Sequence, residues 1–468
     1  MGAYRSVAAV AAATLIGMAA NAAGSGKTPD LLLSSNPSGI AATFTTSGTL
    51  DLSNPFFQKL GTNGRSCDTC HQLNQGWSVT PAEIRKRFDA TAGTDPIFRL
   101  NDGSNSPLAD ISTVDKRRAA FSMLLAKGLI RVGIGIPPGA EFELVQADDP
   151  YGFASAGELS LFRRPLPSAN LKFLNTVMWD GRETFADASS GDCIRGTTRC
   201  FASLHFDLSD QSNGATMGHA QATAPLTPAQ RDAIVGFEMS LFTAQVQDTN
   251  AKSLTGQGGL GGPLMLAGQD AYFGINDVLA GDYQTGAPFD PNVLRIYDAW
   301  ASLKGGDQTT EARRAVARGQ VLFNTKRIEI RGVKGINDDL AIDMLPGTCT
   351  TCHDTPGAGN HSIPMPLDIG LTDASRATPD LPLYLLRNKT TGQTVLTTDP
   401  GRALITGKWS DIGRFKGPTL RSLASRAPYF HNGSAASVEA VVDFYDQRFA
   451  IGLTAAEKAD LAAFLRAL

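Results

Sequence analysis

The sequence predicts a mainly α-helical chain of two similar units, each carrying one Cys-x-x-Cys-His motif, with a small β-hairpin inserted in the first. Three observations predict it. The motif itself occurs twice, at Cys67-Asp-Thr-Cys-His71 and Cys349-Thr-Thr-Cys-His353. Two later segments repeat each other, Thr227-Pro-Ala-Gln-Arg-Asp-Ala-Ile-Val-Gly-Phe237 and Thr454-Ala-Ala-Glu-Lys-Ala-Asp-Leu-Ala-Ala-Phe464. Each opens with a Thr N-cap answered three residues on by Gln230 or Glu457, a capping box that starts a helix. Apolar stripes at helical spacing follow: Ile234, Phe237 and Leu241, then Leu461, Phe464, Leu465 and Leu468. Finally, Val132, Ile134 and Ile136 alternate, Pro137-Pro138-Gly139 follows, and Phe142 and Leu144 resume the alternation, which reads as a hairpin.

Taken in order, residues 1–23 read as an export signal, with Arg5 ahead of the apolar run Val7–Ala20 and a small-residue cleavage site at Ala20-Asn21-Ala22. The run is shorter than the roughly 20 residues that span a bilayer, so the alternative of a retained anchor is the weaker one. Residues 24–250 form the first unit, 251–309 a connection that is Gly-rich from Gly256 to Gly268, and 310–468 the second unit, entered by a helix over Ala312–Phe323. The net charge of -3, with no long basic run, gives nucleic acid no footing. An exported chain can keep disulfides, and Cys193 with Cys200, the only cysteines outside the motifs, are expected to close a surface loop.

The paired motifs carry the chemistry. Two thiols separated by two residues reach the two vinyl groups of one porphyrin while the adjoining His ligates the iron, so Cys67, Cys70 and His71 predict one c-type haem and Cys349, Cys352 and His353 a second. Zinc and a thioredoxin-like redox pair use the same residue types. Chance, however, supplies one such motif about 0.001 times in a chain of this composition, and each motif already ends in its own His. Each unit is therefore expected to be a cytochrome c-like haem domain.

The segment from Lys416 through Ala427-Pro-Tyr-Phe-His-Asn-Gly-Ser434 and on to Val441-Val-Asp-Phe-Tyr445 resembles the C-terminal hallmark of the bacterial di-haem cytochrome c peroxidase and MauG superfamily. Trp179-Asp-Gly-Arg182, between the two haem motifs, is similar to the same superfamily's W-D-G-R motif. The resemblance runs from about Asn54 onward, with Asp187 to Ser209 standing out as an insertion.

That resemblance implies roles. His431 matches the His of the hallmark, which implies a cofactor-binding residue. Tyr445 stands where the sixth ligand of that haem's iron lies, a place held by Met in the conventional peroxidases and by Tyr in MauG-like enzymes; Met344 and Met365 are the competing ligands, with Tyr445 then a core residue. The His that caps the N-terminal iron in the peroxidases has no counterpart here, which implies a five-coordinate or water-bound iron. The family's distal Gln is matched by Gln211, but Gln221 occupies the place of its Glu and cannot carry a proton. His219 is nearby, and imidazole suits proton shuttling at neutral pH, so His219 is a candidate for the missing acid-base group, the alternatives being packing on a loop or a bond to a propionate. His205 and His361 read as structural or as propionate partners. Trp179 resembles the Trp that conducts charge between the haems, or simply packs beside a porphyrin. A calcium ion held by backbone carbonyls before the Pro428-Tyr-Phe-His segment is compatible with the pattern.

The implied function is a MauG-like periplasmic peroxidase that takes hydrogen peroxide and oxidises a small electron-donor protein or a protein side chain. A haem-dependent oxygenase or protein-modifying oxidase of the same build and a non-catalytic electron-transfer cytochrome are the alternatives.

Overall fold

A computed structural model describes residues 27–468; the predicted export signal lies outside the described residues. The chain is 31% helix and 19% strand, distributed over several sheets, which corrects the expectation of a mainly helical fold. The strands were hidden because their partners are distant in sequence, and local periodicity carries no trace of a partner.

The largest sheet has four strands. Lys27–Asn36 pairs antiparallel with Gly39–Asp51, which pairs with Leu241–Asp248, which in turn pairs with the short Lys252–Ser253 strand. Asn36 makes the first turn, its side-chain oxygen accepting from Ser38 N at 3.0 Å. Gly39 completes it at φ +141°, where a Cβ would lie 2.1 Å from Gln247 O. The Pro228–Ser240 helix, opened by the Thr227/Gln230 capping box, runs straight into the third strand. Ile234 and Phe237 on its inner face pack with Phe56 and Trp77.

The hairpin expected over Val132–Leu144 does not form. Ile130–Ile134 pairs with Leu159–Arg163, while Phe142–Asp148 pairs with Leu383–Asn388 of the second unit, beside Thr394–Thr397. Burial decides the matter: Phe142, Leu159, Leu161, Tyr384 and Leu386 are almost fully enclosed in one cluster, with Val132, Ile134 and Leu144 against it. Tyr384 fastens the two sheets, its hydroxyl donating to Ser160 O at 2.8 Å and accepting from Ser160 N at 3.0 Å.

Toward the C-terminus the Gln308–Thr325 helix packs on the Ala455–Arg466 helix, which starts at the Thr454/Glu457 capping box. Gly319 permits the contact, since a Cβ there would sit 2.0 Å from Asp460 O. Trp300, Tyr297, Phe323 and Phe464 fill the core, and Leu254, just ahead of the Gly-rich segment, belongs to the same cluster. That segment is packed: a Cβ at Gly259 would meet the Trp300 ring at 2.8 Å, and one at Gly261 the Tyr297 hydroxyl at 2.9 Å. Cys193 and Cys200 are disulfide-bonded. No helix among the described residues is long and apolar enough to cross a membrane.

Candidate functional site

Both Cys-x-x-Cys-His motifs fold into the same single turn. Cys67–Thr69 and Cys349–Thr351 are 3-10 turns, and the His amide closes each by donating to the first Cys carbonyl, His71 N to Cys67 O at 3.0 Å and His353 N to Cys349 O at 3.2 Å. A hydroxyl just before the second Cys holds the entry: Thr69 Oγ1 accepts from Ser66 N at 3.1 Å, and Thr351 Oγ1 from Thr348 N at 3.0 Å. All four cysteines are free, and burial pushes the Cys70 thiol up to about 11 and the Cys349 and Cys352 thiols up to about 12.

Both histidines are neutral because burial disfavours the imidazolium, His71 being lowered to about 4 and His353 also lowered. His71 Nδ1 bonds Trp77 O at 3.2 Å and His353 Nδ1 bonds Gly359 O at 2.6 Å. A carbonyl only accepts, so Nδ1 carries the proton in each ring and Nε2 keeps the lone pair that a metal takes.

The first motif opens into a mostly apolar cavity of about 1450 Å³, counting space open to solvent at its mouth. Gln211 and His219 line it from the Leu204–Gly218 helix and its C-cap, and Trp179 lines it from the W-D-G-R turn. His219 is held firmly. Its ring Nδ1 bonds Asp102 Oδ2 at 2.5 Å, and its carbonyl accepts from Asn63 Nδ2 at 2.7 Å. Asp102 is 5% exposed and is also bound by Arg65. Burial pushes the Asp102 carboxyl up, but the hydrogen bond and charge of His219, together with Arg65, outweigh it and hold the group below the usual carboxylate range.

A second cavity, of about 1790 Å³ on the same measure, surrounds Cys349, Cys352 and His353. Tyr445 reaches it from the Val438–Phe449 helix, together with Val441 and with Val438 and Val442, which also belong to the neighbouring core cluster. Burial, then the nearby Cys352 and Cys349, push its phenol well above the ordinary range. His431 also lines the cavity, 1% exposed, stacked on Phe415 at 4.0 Å with neither ring nitrogen bonded.

One wall serves both cavities. Arg164, Pro165, Leu166, Pro167, Trp179 and Lys416 line each of them, and Trp179 is fixed by its Nε1 donating to Arg164 O at 2.8 Å. Behind it Arg163 clamps the W-D-G-R turn to a distant segment, donating to Asp180 at 2.5 Å and, in a fork, to Asp399 at 2.7 and 2.9 Å.

The residues fit two c-type haems. Each cavity holds a pair of unbonded thiols and, next to the second of them, a neutral His with Nε2 available, the donor set of covalent attachment. The buried cations of the shared wall also fit. Arg164 bonds only the carbonyls of Lys127, Gly128, Val79 and Arg426, and Lys416 only Thr176 O, so a group bearing carboxylates, as porphyrin propionates do, would neutralise charge that burial otherwise penalises.

Of the residues singled out from sequence, the structure gathers Cys67, Cys70, His71, Trp179, Gln211 and His219 around one cavity and Cys349, Cys352, His353, His361, His431, Tyr445 and again Trp179 around the other. Gln221 is not among the lining residues; it is a turn residue at φ +55° whose side chain accepts from Asn63 at 3.3 Å. Met344 and Met365 line neither cavity, and Met365 packs in the cluster of Ile328, Ile330 and Leu367. His205 is exposed near Asp232. Sequence reasoning missed Asp102 and Glu238. Glu238 is 6% exposed in the first cavity, with Oε2 unbonded, and burial lifts its carboxyl to about 8, against a hydrogen bond from Ser168. A signal existed for it: it falls on the apolar stripe, four after Ile234. None existed for Asp102.

Comparison with known proteins finds no matching family model. Cytochrome-c peroxidase IdrP1 of Pseudomonas sp. (strain SCT) is 33% identical over 140 residues, covering 26% of this chain and 36% of the relative. Cytochrome-c peroxidases IdrP2 and IdrP1 of Denitromonas iodatirespirans are each 31% identical, over 142 and 136 residues with the same coverage. The match thus spans about a third of the length of these curated relatives. A solved structure described as a MauG-like protein associated with microbial copper homeostasis aligns with 89% of this chain and 86% of its own, at 18% identity and a TM-score of 0.38. At that distance it adds nothing to the assignment.

Proposed function

We propose that this chain is a member of the bacterial di-haem cytochrome c peroxidase and MauG superfamily that it resembles, and that it is an exported two-haem enzyme reducing hydrogen peroxide in the cavity of His71; the 31–33% identity to cytochrome-c peroxidases over about a quarter of the chain supports this reading. Cys67 and Cys70 would hold the first haem by thioether bonds with His71 Nε2 on its iron; Cys349, Cys352 and His353 would hold the second, with Tyr445 offering an oxygen donor. Bound there, a c-type haem supplies an iron that accepts peroxide and stores oxidising equivalents.

The chain's own work is proton handling and positioning. Asp102 accepts from His219 Nδ1–H, which keeps the proton on that nitrogen and leaves Nε2 basic. Nε2 then takes the proton from the inner oxygen of peroxide and returns one to the leaving oxygen. Gln211 orients the peroxide by hydrogen bonds. Glu238, neutral at pH 7 because burial lifts it to about 8, adds a second donor to the same cavity. Trp179, in the wall common to both cavities, lies on the route by which oxidising equivalents would be shared. Electrons come from a small redox protein or an oxidisable protein side chain, and calcium near Pro428 belongs to the same reading.

The observation that carries this is the His219–Asp102 pair set in the wall of a cavity that also contains Cys67, Cys70 and His71. The test is peroxide consumption by the haem-loaded protein with a reduced small cytochrome or a dye as donor. His219→Ala should slow it by about 100-fold or more while both haem spectra stay unchanged. Absence of turnover with either donor, or an unchanged rate in the variant, would sink the proposal.

A further inference from the structure

Beside the second cavity, which His361 also lines, three side chains from two loops meet in the interior. Asp277, Asp354 and His361 each present a ligating atom within 4.8 Å of the others, and they are 0%, 0% and 4% exposed. His361 Nδ1 lies 3.3 Å from Asp354 Oδ2. We propose that this cluster is a structural site for a divalent transition-metal ion of the zinc class.

The loops hold the ligands in place. Asp277 Oδ1 accepts from Leu279 N at 3.0 Å and Ala280 N at 2.6 Å, which leaves Oδ2 buried with no partner. Asp354 Oδ1 accepts from Ser362 N at 2.6 Å and Oδ2 from Ser362 Oγ at 3.1 Å. Asn276 Nδ2 donates to Asp354 O at 3.1 Å and so ties the first loop to the second. His361 Nδ1, the ring nitrogen beside Asp354, also accepts from Ile363 N at 3.5 Å and so carries a lone pair, while Nε2 has no hydrogen-bond partner.

Charge supplies the second argument. Among the described residues no lysine or arginine forms an ion pair with Asp277 or Asp354, and the only cationic candidate beside them is an imidazole. Two carboxylates without a cation in a dry interior are strongly disfavoured. One divalent ion neutralises both and also satisfies the orphaned Asp277 oxygen. The donor set selects the ion, because an imidazole nitrogen with two carboxylate oxygens suits zinc, whereas calcium favours an all-oxygen shell. Bonds of about 2.0 Å to zinc would draw the three atoms inward by rotation of the Asp277 and His361 side chains. The ion would fasten the loop carrying Asp277 to the turn that follows His353. It is separate from the backbone near Pro428.

The full haem-loaded protein is the sample to use, since its thiols are then consumed and cannot bind zinc. After equilibration with zinc and exhaustive dialysis, elemental analysis should find one zinc per chain in addition to iron, and a chelator should lower the melting temperature. Asp277→Asn keeps the oxygen that caps the loop and turns the orphan oxygen into an amide. It should retain under a tenth of the zinc and melt at a temperature indifferent to chelator. Wild-type protein that retains no zinc, that melts alike with and without chelator, or that prefers calcium in equal competition overturns the proposal, as does a folded variant holding zinc undiminished. Should the variant fail to fold, the wild-type measurements decide alone.

Discussion

Arg163→Ala should destabilise the protein severely, and in a pH-dependent way. Arg163, Asp180 and Asp399 have side chains 2%, 0% and 4% exposed, and the guanidinium makes all three of the bonds that neutralise the two carboxylates there, apart from Arg182 at 3.1 Å from Asp180. Removing one partner of such a buried set costs about 3–5 kcal/mol, because charge is left behind without compensation. Asp180 gives a separate measure. Burial raises its carboxyl, but Arg163 and then Arg182 outweigh this and hold it at about 2, against an ordinary 3.8. That depression is worth roughly 2 kcal/mol. Since the folded value lies below the unfolded one, the stabilisation is complete above about pH 4 and fades as the pH falls through about 2. Urea unfolding of haem-loaded protein should therefore show the variant some 3–5 kcal/mol less stable at pH 7, a large fraction of the roughly 5–15 kcal/mol a fold possesses. The gap should narrow between pH 4 and 2. A loss under 1 kcal/mol at pH 7, or a gap constant down to pH 2, would refute the reasoning.

Asp102→Asn removes the acceptor that fixes the His219 tautomer, and peroxide turnover should fall roughly 10- to 100-fold without change in either haem spectrum; an unaltered rate would leave the Asp–His pair without a role. Tyr445→Phe should convert one of the two haems to a high-spin, five-coordinate ferric form visible by electron paramagnetic resonance, and spectra identical to wild type would hand the ligand role elsewhere. Gly319→Val places carbon where Asp460 O and Phe464 Cβ already lie, 2.0 and 2.7 Å from an added Cβ. It should cost about 1–3 kcal/mol by forcing the two helices apart, and calorimetry showing no loss would mean the contact is softer than its geometry.

What was legible in the sequence was what is encoded within a few residues. The Cys-x-x-Cys-His turns and the Thr227 and Thr454 capping boxes involve partners three or four apart, so spacing alone specifies them. The sheets were not legible for the converse reason. Phe142–Asp148 has the alternation of a strand, yet its neighbour is Leu383–Asn388, and nothing nearby distinguishes that partner from Val132–Ile136. The same holds in the first cavity. His219 could be picked out as a titratable group near Gln211, but the Asp102 that orients it comes from 117 positions earlier. Gln221 was drawn in by its spacing and excluded by its backbone, whose left-handed turn bonds its side chain to Asn63 instead.

The wall common to the two cavities bears on how the molecule can be dissected. The pocket of His71 is completed by Lys416, Pro418 and Thr419, and that of His353 by Ser78, Trp179 and the stretch from Arg164 to Pro167. Neither half of the polypeptide, expressed as a fragment, possesses all the sides of its own cavity. Each would be a vessel with a missing panel, and the halves become competent containers only by closing on one another.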